Sequence, residues 1–265
     1  MSSDISFSGI VTLTTDWNLH DYYNGVLRGR LISSCPDVKL VELTNQIPLF
    51  NLNNAAFILR HSFNHFPKGT IHLVMVNSES SKSHRMLAFK HNDHFFIVAD
   101  NGIIGLLFKE IPESVFAFPF ETEGSFASLN SSIKAIEFIA TNNGLNGYSH
   151  SINDFDKRIQ LRATIEKDAI TGSVIYVDSY YNAITNVSQE LFERVGQGRR
   201  FEIFVQSQHN RVDKISKTYN EIDVGELVAL FNSEGLLEIA VNNGFAAQLL
   251  NLNVNSSVRI KFYDE

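Results

Sequence analysis

The amino-acid sequence predicts a chain of two domains, an α/β domain followed by a small all-β barrel. β-rich runs alternate with helix-like segments in the first part of the chain, a polar stretch without a steady period follows, and short strands separated by turns come last. The α/β domain is predicted at residues 1–150, a linker at 151–167 and the β-barrel at 168–265.

The first domain is predicted from an alternation of strand and helix. Strands are expected at residues 10–15, 38–43 and 70–76, with helices at 23–34 and 53–65 between them. This order is typical of a parallel sheet covered by helices. A hairpin at 86–90 and 94–99 and a helix at 131–142 complete the domain.

The second domain is predicted from five short apolar runs separated by turn residues. They lie at 172–177, 200–205, 226–230, 236–241 and 258–262. Short strands at such spacing favour a small β-barrel or sandwich.

Composition limits the classes of partner. The chain has 265 residues, 44% of them hydrophobic, and a net charge of −7 without a basic run, which argues against nucleic acid. No apolar run is long enough to span a membrane. A single cysteine, Cys35, excludes an intrachain disulfide and fits a reducing compartment. With no signal-peptide pattern at the N-terminus, we expect a cytoplasmic protein.

Familiar catalytic motifs are missing from the sequence. It has no Walker-type glycine loop, no Gly-x-Ser-x-Gly elbow and no His-Glu-x-x-His pair. His61 and His65 are four residues apart, but a zinc site needs three or four ligands, so we predict an exposed helix face and no metal site.

Polar residues at strand ends are the remaining candidates for a site. Asp16 follows the first strand, and Asp21 comes shortly after it. Ligands of open α/β sheets lie beyond the carboxyl ends of the strands, so these acids could face a substrate. A helix N-cap is an equally good interpretation of Asp16.

Two further polar clusters lie in the second domain. Residues 177–186 hold Asp178, Tyr180 and Asn182, which could bind a purine through amide edges and a stacking ring. An asparagine-rich turn explains the same residues. Residues 232–247 could bring backbone groups close to a flat ligand.

Together these segments resemble one family, the S-adenosylmethionine (SAM) hydroxide adenosyltransferases with their fluorinase and chlorinase relatives. The resemblance spans nearly the whole chain. Its motifs are Thr-Leu-Thr-Thr-Asp at 12–16 with Asp21 and Tyr23, Ile-Pro-x-Phe-Asn at 47–51, Pro-x-Gly-Thr-Ile-His at 67–72, Asp-Asn-Gly at 100–102, the Asp178–Asn186 turn, and the segment from Asn232 to Ala247.

The resemblance implies the same two-domain fold. It also implies a homotrimer in which subunits share the ligand pocket, and SAM or adenosine as the small-molecule ligand. The implied reaction is displacement at the ribose 5′ carbon, with methionine leaving. It needs no metal and no cofactor beyond SAM itself.

The resemblance also implies roles for individual residues. Asp16 would bind the ribose hydroxyls and Phe50 the sugar; Asp178 would bind the methionine amine and Ser233 its carboxylate. Further binding positions carried over are Asp21, Ser80, Tyr180, Asn182, Asn242 and Asn243.

The sequence departs from the hydrolytic branch of this family, which prepares water with an Asp, an Arg and a His. Asn77 stands at the Asp position and His84 at the Arg position, followed by Arg85; the His motif has no counterpart near Leu129. The loop 78–83 is expected to be solvated.

Three hypotheses follow from this departure. The protein could be a SAM-cleaving enzyme in which His84, Arg85 or His150 substitutes for the lost groups. It could use a halide, which needs no base, although Asn77 does not match that branch. It could also bind SAM or adenosine without turnover. We predict that binding persists while conversion to adenosine and methionine is slow or undetectable.

Overall fold

A computed structural model describes residues 6–120, 126–148 and 151–264. The chain divides into two compact units, Met1–Gln160 and Leu161–Glu265. The division falls inside the segment for which a linker was predicted; the exact domain bounds remain a prediction.

The first unit combines a mixed sheet with four helices. In chain order its elements are β1 (Ile10–Thr15), α1 (Tyr23–Ser34), β2 (Lys39–Thr44), α2 (Leu52–Ser62), β3 (Ile71–Met75), β4 (Arg85–His91), β5 (His94–Ala99), α3 (Ile103–Leu107), β6 (Val115–Pro119), α4 (Ala127–Asn142) and β7 (Ser151–Ile152). Short 3-10 helices lie at Phe63–His65 and Ser78–Ser80.

The sheet has the strand order β2-β1-β3-β5-β4-β6-β7. Strands β2, β1 and β3 run parallel, as the alternation of strand and helix predicts, and β5 runs parallel to β3 as well. Strand β4 is antiparallel to β5 because a two-residue connection cannot return the chain for a parallel pairing. Strands β6 and β7 extend this antiparallel half.

Helices cover both faces of the sheet. On one face, Leu27 of α1 and Ile136 of α4 pack with Leu13 of β1. On the other face, Leu59 of α2 and Ile104 of α3 belong to the opposite core cluster. The buried strands therefore need apolar residues on both sides, which explains the continuous apolar run within His94–Ala99.

Three buried polar side chains of this sheet, Thr12, His72 and His94, contact one another in a row. His72 Nδ1 is 2.7 Å from Thr12 Oγ1, and His72 Nε2 is 3.1 Å from His94 Nδ1. Burial, with a smaller contribution from His94, lowers the pKa of His72 to about 3. Burial likewise lowers the pKa of His94. Both rings are therefore neutral at pH 7.

Residues 151–160, although polar in sequence, are attached to the first unit. Asp156 N donates to Asp100 Oδ1 at 2.8 Å, and Arg158 N donates to Gly102 O at 3.1 Å. A Cβ at Gly102 would lie 2.5 Å from the Arg158 side chain. Glycine at this position, with φ +92°, therefore lets the segment cross the start of α3.

The second unit is a sheet with two short helices. Its elements are β8 (Thr164–Ile165), β9 (Ala169–Val177), β10 (Ala183–Ser188), α5 (Gln189–Gly196), β11 (Arg200–Val205), β12 (Arg211–Val212), β13 (Ile215–Ser216), β14 (Leu227–Phe231), β15 (Leu236–Val241), α6 (Ala246–Leu249) and β16 (Ser257–Tyr263), with a 3-10 turn at Tyr219–Glu221.

This nine-stranded sheet has the order β12-β11-β16-β9-β10-β15-β14-β13, and β8 pairs with β9. Strand β12 also lies against β14, so the sheet curls into a nearly closed barrel. The predicted class, an α/β domain followed by a small β-barrel, is confirmed. In the part of the chain that the structure describes, no helix is both long and apolar enough to cross a bilayer.

Candidate functional site

Asp16 joins three loops at the carboxyl edge of the first sheet. It follows β1 directly and is 7% exposed. Its Oδ2 accepts hydrogen bonds from Phe50 N at 2.9 Å and Asn77 N at 3.2 Å. The residue before α1 is Tyr22, and no side chain caps that helix. Asp16 is thus an anchor between distant segments rather than an N-cap of α1.

Asn77 forms the next part of this edge, close after β3. Its backbone is left-handed, with φ 48° and ψ 40°, a conformation that asparagine tolerates. Its Oδ1 accepts from Ser80 Oγ at 2.5 Å, and Asn101 Nδ2 donates to its carbonyl at 3.2 Å. The structure therefore brings Asp16, Phe50, Asn77 and Ser80 together. We call this set the Asp16 cluster.

The loop after Asn77 is only partly solvated. Ser78 and Ser81 are buried, whereas Glu79 and Lys82 are exposed, so the expectation of a solvated loop holds for only part of it. Glu79 Oε1 accepts from Ser128 N at 3.0 Å and from the Ser128 hydroxyl. A negative charge at the start of a helix stabilises it, which lets α4 begin at Ala127 rather than at the predicted residue 131.

Arg85 is held in a structural ion pair. Its Nη2 lies 2.7 Å from Oδ2 of Asp100, which is fully buried, and its Nε donates to the same oxygen at 2.8 Å. Its Nη2 also donates to the Asp154 carbonyl at 2.6 Å. Breaking such a buried pair leaves an uncompensated charge, so the guanidinium is not free to act elsewhere.

His84 lies at the end of the loop that begins at Asn77, and its N donates to Ser81 O at 3.1 Å. Its carbonyl accepts from Phe120 N at 2.8 Å, which places it beside β4 and β6. Strand β4 is three positions from β1 in the sheet, about 14 Å at the usual strand spacing. Among the described residues, no hydrogen bond joins His84 to Asp16 or Asn77. His150 lies outside the described residues.

An aromatic cluster follows Asp16 and was not singled out from the sequence. The Trp17 ring centroid lies 5.1 Å from that of Phe126 and 5.9 Å from that of Tyr23. Asp21 is exposed at the start of this segment. The sequence signal was the position of Trp17 next to an acid, since Phe126 comes from a distant part of the chain.

In the second unit, Asp178 organises its own turn. Its Oδ1 accepts from Tyr180 N at 2.9 Å and Asn182 N at 2.8 Å. Its Oδ2 accepts from Asn182 Nδ2 at 3.1 Å. The structural interpretation of this segment, an asparagine-rich turn, is therefore correct for residues 178–182 and wrong for residues 183–186, which belong to β10.

The other residues predicted in the second unit differ in exposure. Tyr180 is 73% exposed, and Ser233 is exposed at the tip of the β14–β15 turn. Asn242 is buried and donates from Nδ2 to Ile222 O at 2.7 Å, whereas Asn243 follows in a left-handed conformation. Nothing in these contacts shows a ligand, so their assigned roles remain predictions.

A metal site finds no support in the described ranges, where no group of three or more His, Cys, Asp or Glu side chains could hold an ion. The expectation that no cofactor is needed beyond SAM remains a prediction.

Comparison with known proteins identifies both units. The family model for the SAM hydroxide adenosyltransferase N-terminal domain matches residues 11–132, and the model for its C-terminal domain matches residues 172–259. The chain is 23% identical to an (R)-S-adenosyl-L-methionine hydrolase of Methanocaldococcus jannaschii, with 95% of each protein covered. It is 25% identical to the hydrolase of the same name from Thermus thermophilus, over 94% of this chain and 98% of the relative.

Two solved structures share the fold. One is an uncharacterized conserved protein from Thermotoga maritima, with a TM-score of 0.81, 23% identity and coverage of 95% of this chain and 99% of that one. The other is a conserved hypothetical protein from Thermus thermophilus, with a TM-score of 0.74, 26% identity and coverage of 94% and 98%. With both of its domain models matched in order, this chain belongs to the SAM hydroxide adenosyltransferase family.

Proposed function

We propose that this protein binds SAM and that its cleavage of SAM by water is slow. Support for binding comes from the relatives, which are named SAM hydrolases, and from the acids that are retained at both predicted ligand sites. Asp16 is fixed by two backbone donors, and Asp178 by two backbone donors and one amide.

The reaction itself asks little of the protein beyond orientation. Water attacks the 5′ carbon of the ribose, the carbon–sulfur bond breaks, and its electron pair goes to sulfur, so methionine leaves as a neutral thioether. The attacking water releases one proton to a base, or to bulk water where no base is positioned. A sulfonium is already a good leaving group, so the protein contributes by aligning and desolvating the nucleophile and by taking the proton.

The proposal of slow turnover rests on one observation: position 77 carries an amide instead of a carboxylate, and the Arg85 guanidinium is paired with Asp100. An asparagine amide cannot take a proton, and the loss of a positioned base typically costs about 10²- to 10⁴-fold in rate. Arg85 is held by Asp100, and His84 lies beside β6. Asn77 thus offers no ionisable group, and no hydrogen bond among the described residues joins Arg85 or His84 to Asp16.

Product analysis tests this proposal. Wild-type protein would be incubated with SAM, and adenosine and methionine would be separated by chromatography, while calorimetry measures binding. We expect measurable affinity with little adenosine. Asn77→Asp restores a carboxylate on the same backbone and is expected to raise the rate; Asn77→Ala is the matched control. Rapid adenosine release by the wild type would refute slow turnover, and absence of binding would refute the whole proposal.

A second candidate is an efficient SAM hydrolase in which Glu79 supplies the lost carboxylate. The observation that favours it is the position of Glu79, two residues after Asn77. Its carboxylate already accepts a hydrogen bond from Ser128 N at the start of α4. Glu79→Gln in the same assay decides this: a large loss of adenosine release from an active wild type would assign the role to Glu79. Adding fluoride or chloride tests the halide hypothesis, which predicts a 5′-halogenated product.

We also propose a cytoplasmic homotrimer whose subunits share the ligand pocket. Supporting it are large apolar side chains exposed in the first unit, namely Leu19, Tyr22, Ile32, Leu49 and Phe50. A contiguous exposed apolar patch is typical of a contact surface, and the proposed assembly requires these side chains to form one. Light scattering at micromolar concentration is expected to give three times the monomer mass; a monomer that still binds SAM would refute the assembly.

A further inference from the structure

Glu238 is a buried acid to which the predicted binding set gives no role. It lies in β15 and is 3% exposed, between Leu237 and Ile239, which are fully buried. Burying a carboxylate is costly unless it is well hydrogen-bonded. Its contacts must therefore explain why an acid occupies this position.

The carboxylate accepts one hydrogen bond on each oxygen. Oε1 accepts from the Tyr219 hydroxyl at 2.6 Å, and Oε2 accepts from Asn232 Nδ2 at 3.3 Å. A glutamine at this position has only one acceptor oxygen, and its NH2 group would face a second donor. Because the Tyr219 hydroxyl can also accept, a glutamine could bond both neighbours only by reversing the Tyr219 bond; only a carboxylate accepts from both at once.

Through Asn232, Glu238 fixes the turn between β14 and β15. With its Nδ2 held by Glu238, Asn232 directs Oδ1 to the backbone N–H groups of Glu234 and Leu236, each at 3.1 Å. If the Asn232 amide rotates, both bonds are lost. The exposed tip of this turn is Ser233, the residue expected to meet the carboxylate of the ligand.

Through Tyr219, the same carboxylate reaches a second segment of the predicted site. Tyr219 begins the 3-10 turn Tyr219–Glu221, and the carbonyl that follows this turn, that of Ile222, is held by Asn242. Glu238 is also paired with Ile184, two residues after Asn182. The negative charge of Asp178 contributes to the raised pKa of Glu238, after the larger effect of burial.

We propose that Glu238 is a positioning residue, which holds the Asn232–Leu236 turn and the Tyr219 loop in the form that binds the ligand. This inference rests on the proposed function, because Ser233 and Asn242 acquire a ligand only there. It assigns Glu238 no contact with SAM.

The test is Glu238→Gln in the full-length protein, with Glu190→Gln, an exposed acid of α5, as the matched control for loss of charge. We expect Glu238→Gln to stay folded but to melt at a somewhat lower temperature, because a buried hydrogen bond is weakened. It should bind SAM about tenfold more weakly, since only about one molecule in ten would hold the turn in the binding form. Hydrogen–deuterium exchange at residues 233–236 should become faster, whereas the control changes neither measurement.

A rescue variant separates positioning from general damage. In Asn232→Asp combined with Glu238→Gln, the new carboxylate still accepts from the turn, and the amide introduced at position 238 donates to it. Exchange at residues 233–236 should return toward the wild-type rate. Unchanged exchange and affinity in Glu238→Gln, or no recovery in the double variant, would overturn the proposal. If the wild type fails to bind SAM, the proposed function falls, while the exchange data still decide the role of Glu238 in the turn.

Discussion

Asp16 and Asp178 both follow a strand, yet their partners lie at very different distances along the chain. The backbone donors to Asp178 come from two and four residues away. The donors to Asp16 come from 34 and 61 residues away. Asp178 therefore shapes a local turn, whereas Asp16 holds together loops that only the folded sheet brings near each other. An acid with distant partners should matter to the fold as well as to the ligand.

The largest loss of stability is expected from a change at Asp100, whose hydrogen-bond partners, like those of Asp16, lie far away along the chain. Asp100→Ala leaves the Arg85 guanidinium without its buried partner and should cost about 3–5 kcal/mol of unfolding free energy. Urea unfolding, followed by tryptophan fluorescence from Trp17, measures it in the first unit. Stability within about 1 kcal/mol of the wild type would contradict the ion-pair interpretation.

Asp16→Ala should follow, at about 2–4 kcal/mol, because two backbone N–H groups lose their acceptor. SAM binding should be lost in the same variant. Asp16→Asn is the control, since its amide oxygen can take the place of Oδ2 and accept from both N–H groups. If Asp16→Ala lost the ligand without any loss of stability, Asp16 would be a ligand residue only.

Asp178→Ala should weaken SAM binding by about 1.5–3 kcal/mol, the usual contribution of a charge-assisted hydrogen bond. Calorimetry measures the affinity, and thermal melting the stability. An unchanged affinity in a folded variant would show that Asp178 only stabilises its turn and does not bind the ligand. A loss of stability as large as the loss of affinity would support the same conclusion.

At neutral pH the smallest effect is expected from the buried histidines of the first sheet, whose influence on stability grows only as the pH falls. The pKa of His72 is lowered to about 3, against 6.5 for the free side chain, so the unfolded chain binds the extra proton. Its contribution to stability is therefore complete above pH 6.5 and decreases as the pH falls toward 3. By about pH 5 the loss is about 2 kcal/mol, before any contribution from His94. His72→Gln should flatten this part of the pH profile measured by urea unfolding.

Much of the first unit could be predicted because its elements are long and periodic. Strand β1 and helix α1 have the predicted bounds, and β5 was found from its apolar run. Strand β6 was missed, and α4 was placed four residues late because its first two turns contain serines, which are typical of helix caps. The acid that stabilises that turn, Glu79, lies 49 residues before its partner Ser128, beyond the reach of a local pattern.

In the second unit, β10 was taken for part of a turn. The segment Ala-Ile-Thr-Asn-Val-Ser contains an asparagine inside an otherwise β-favouring run. That asparagine forms a hydrogen bond between two strands of the barrel. Asn186 Oδ1 accepts from Ser173 N at 2.8 Å in the neighbouring strand β9. The same distinction applies to the candidate site. The Asp178 turn could be predicted because its partners are neighbours in the sequence, whereas the partners of Glu238 lie 6 and 19 residues away.

The left-handed backbone of Asn77 limits which residues can replace it during evolution. Asparagine and aspartate are the side chains that best tolerate this conformation, and their codons differ by one base. A carboxylate at position 77 is therefore a single mutational step away, with no rearrangement of the loop. It would stand beside Asp16, whose oxygen already contacts the backbone of residue 77, and the two negative charges would raise each other's proton affinity. A pair of acids at positions 16 and 77 is thus one base change away from the present sequence. Descendants of this protein could gain or lose the pair while keeping the same fold.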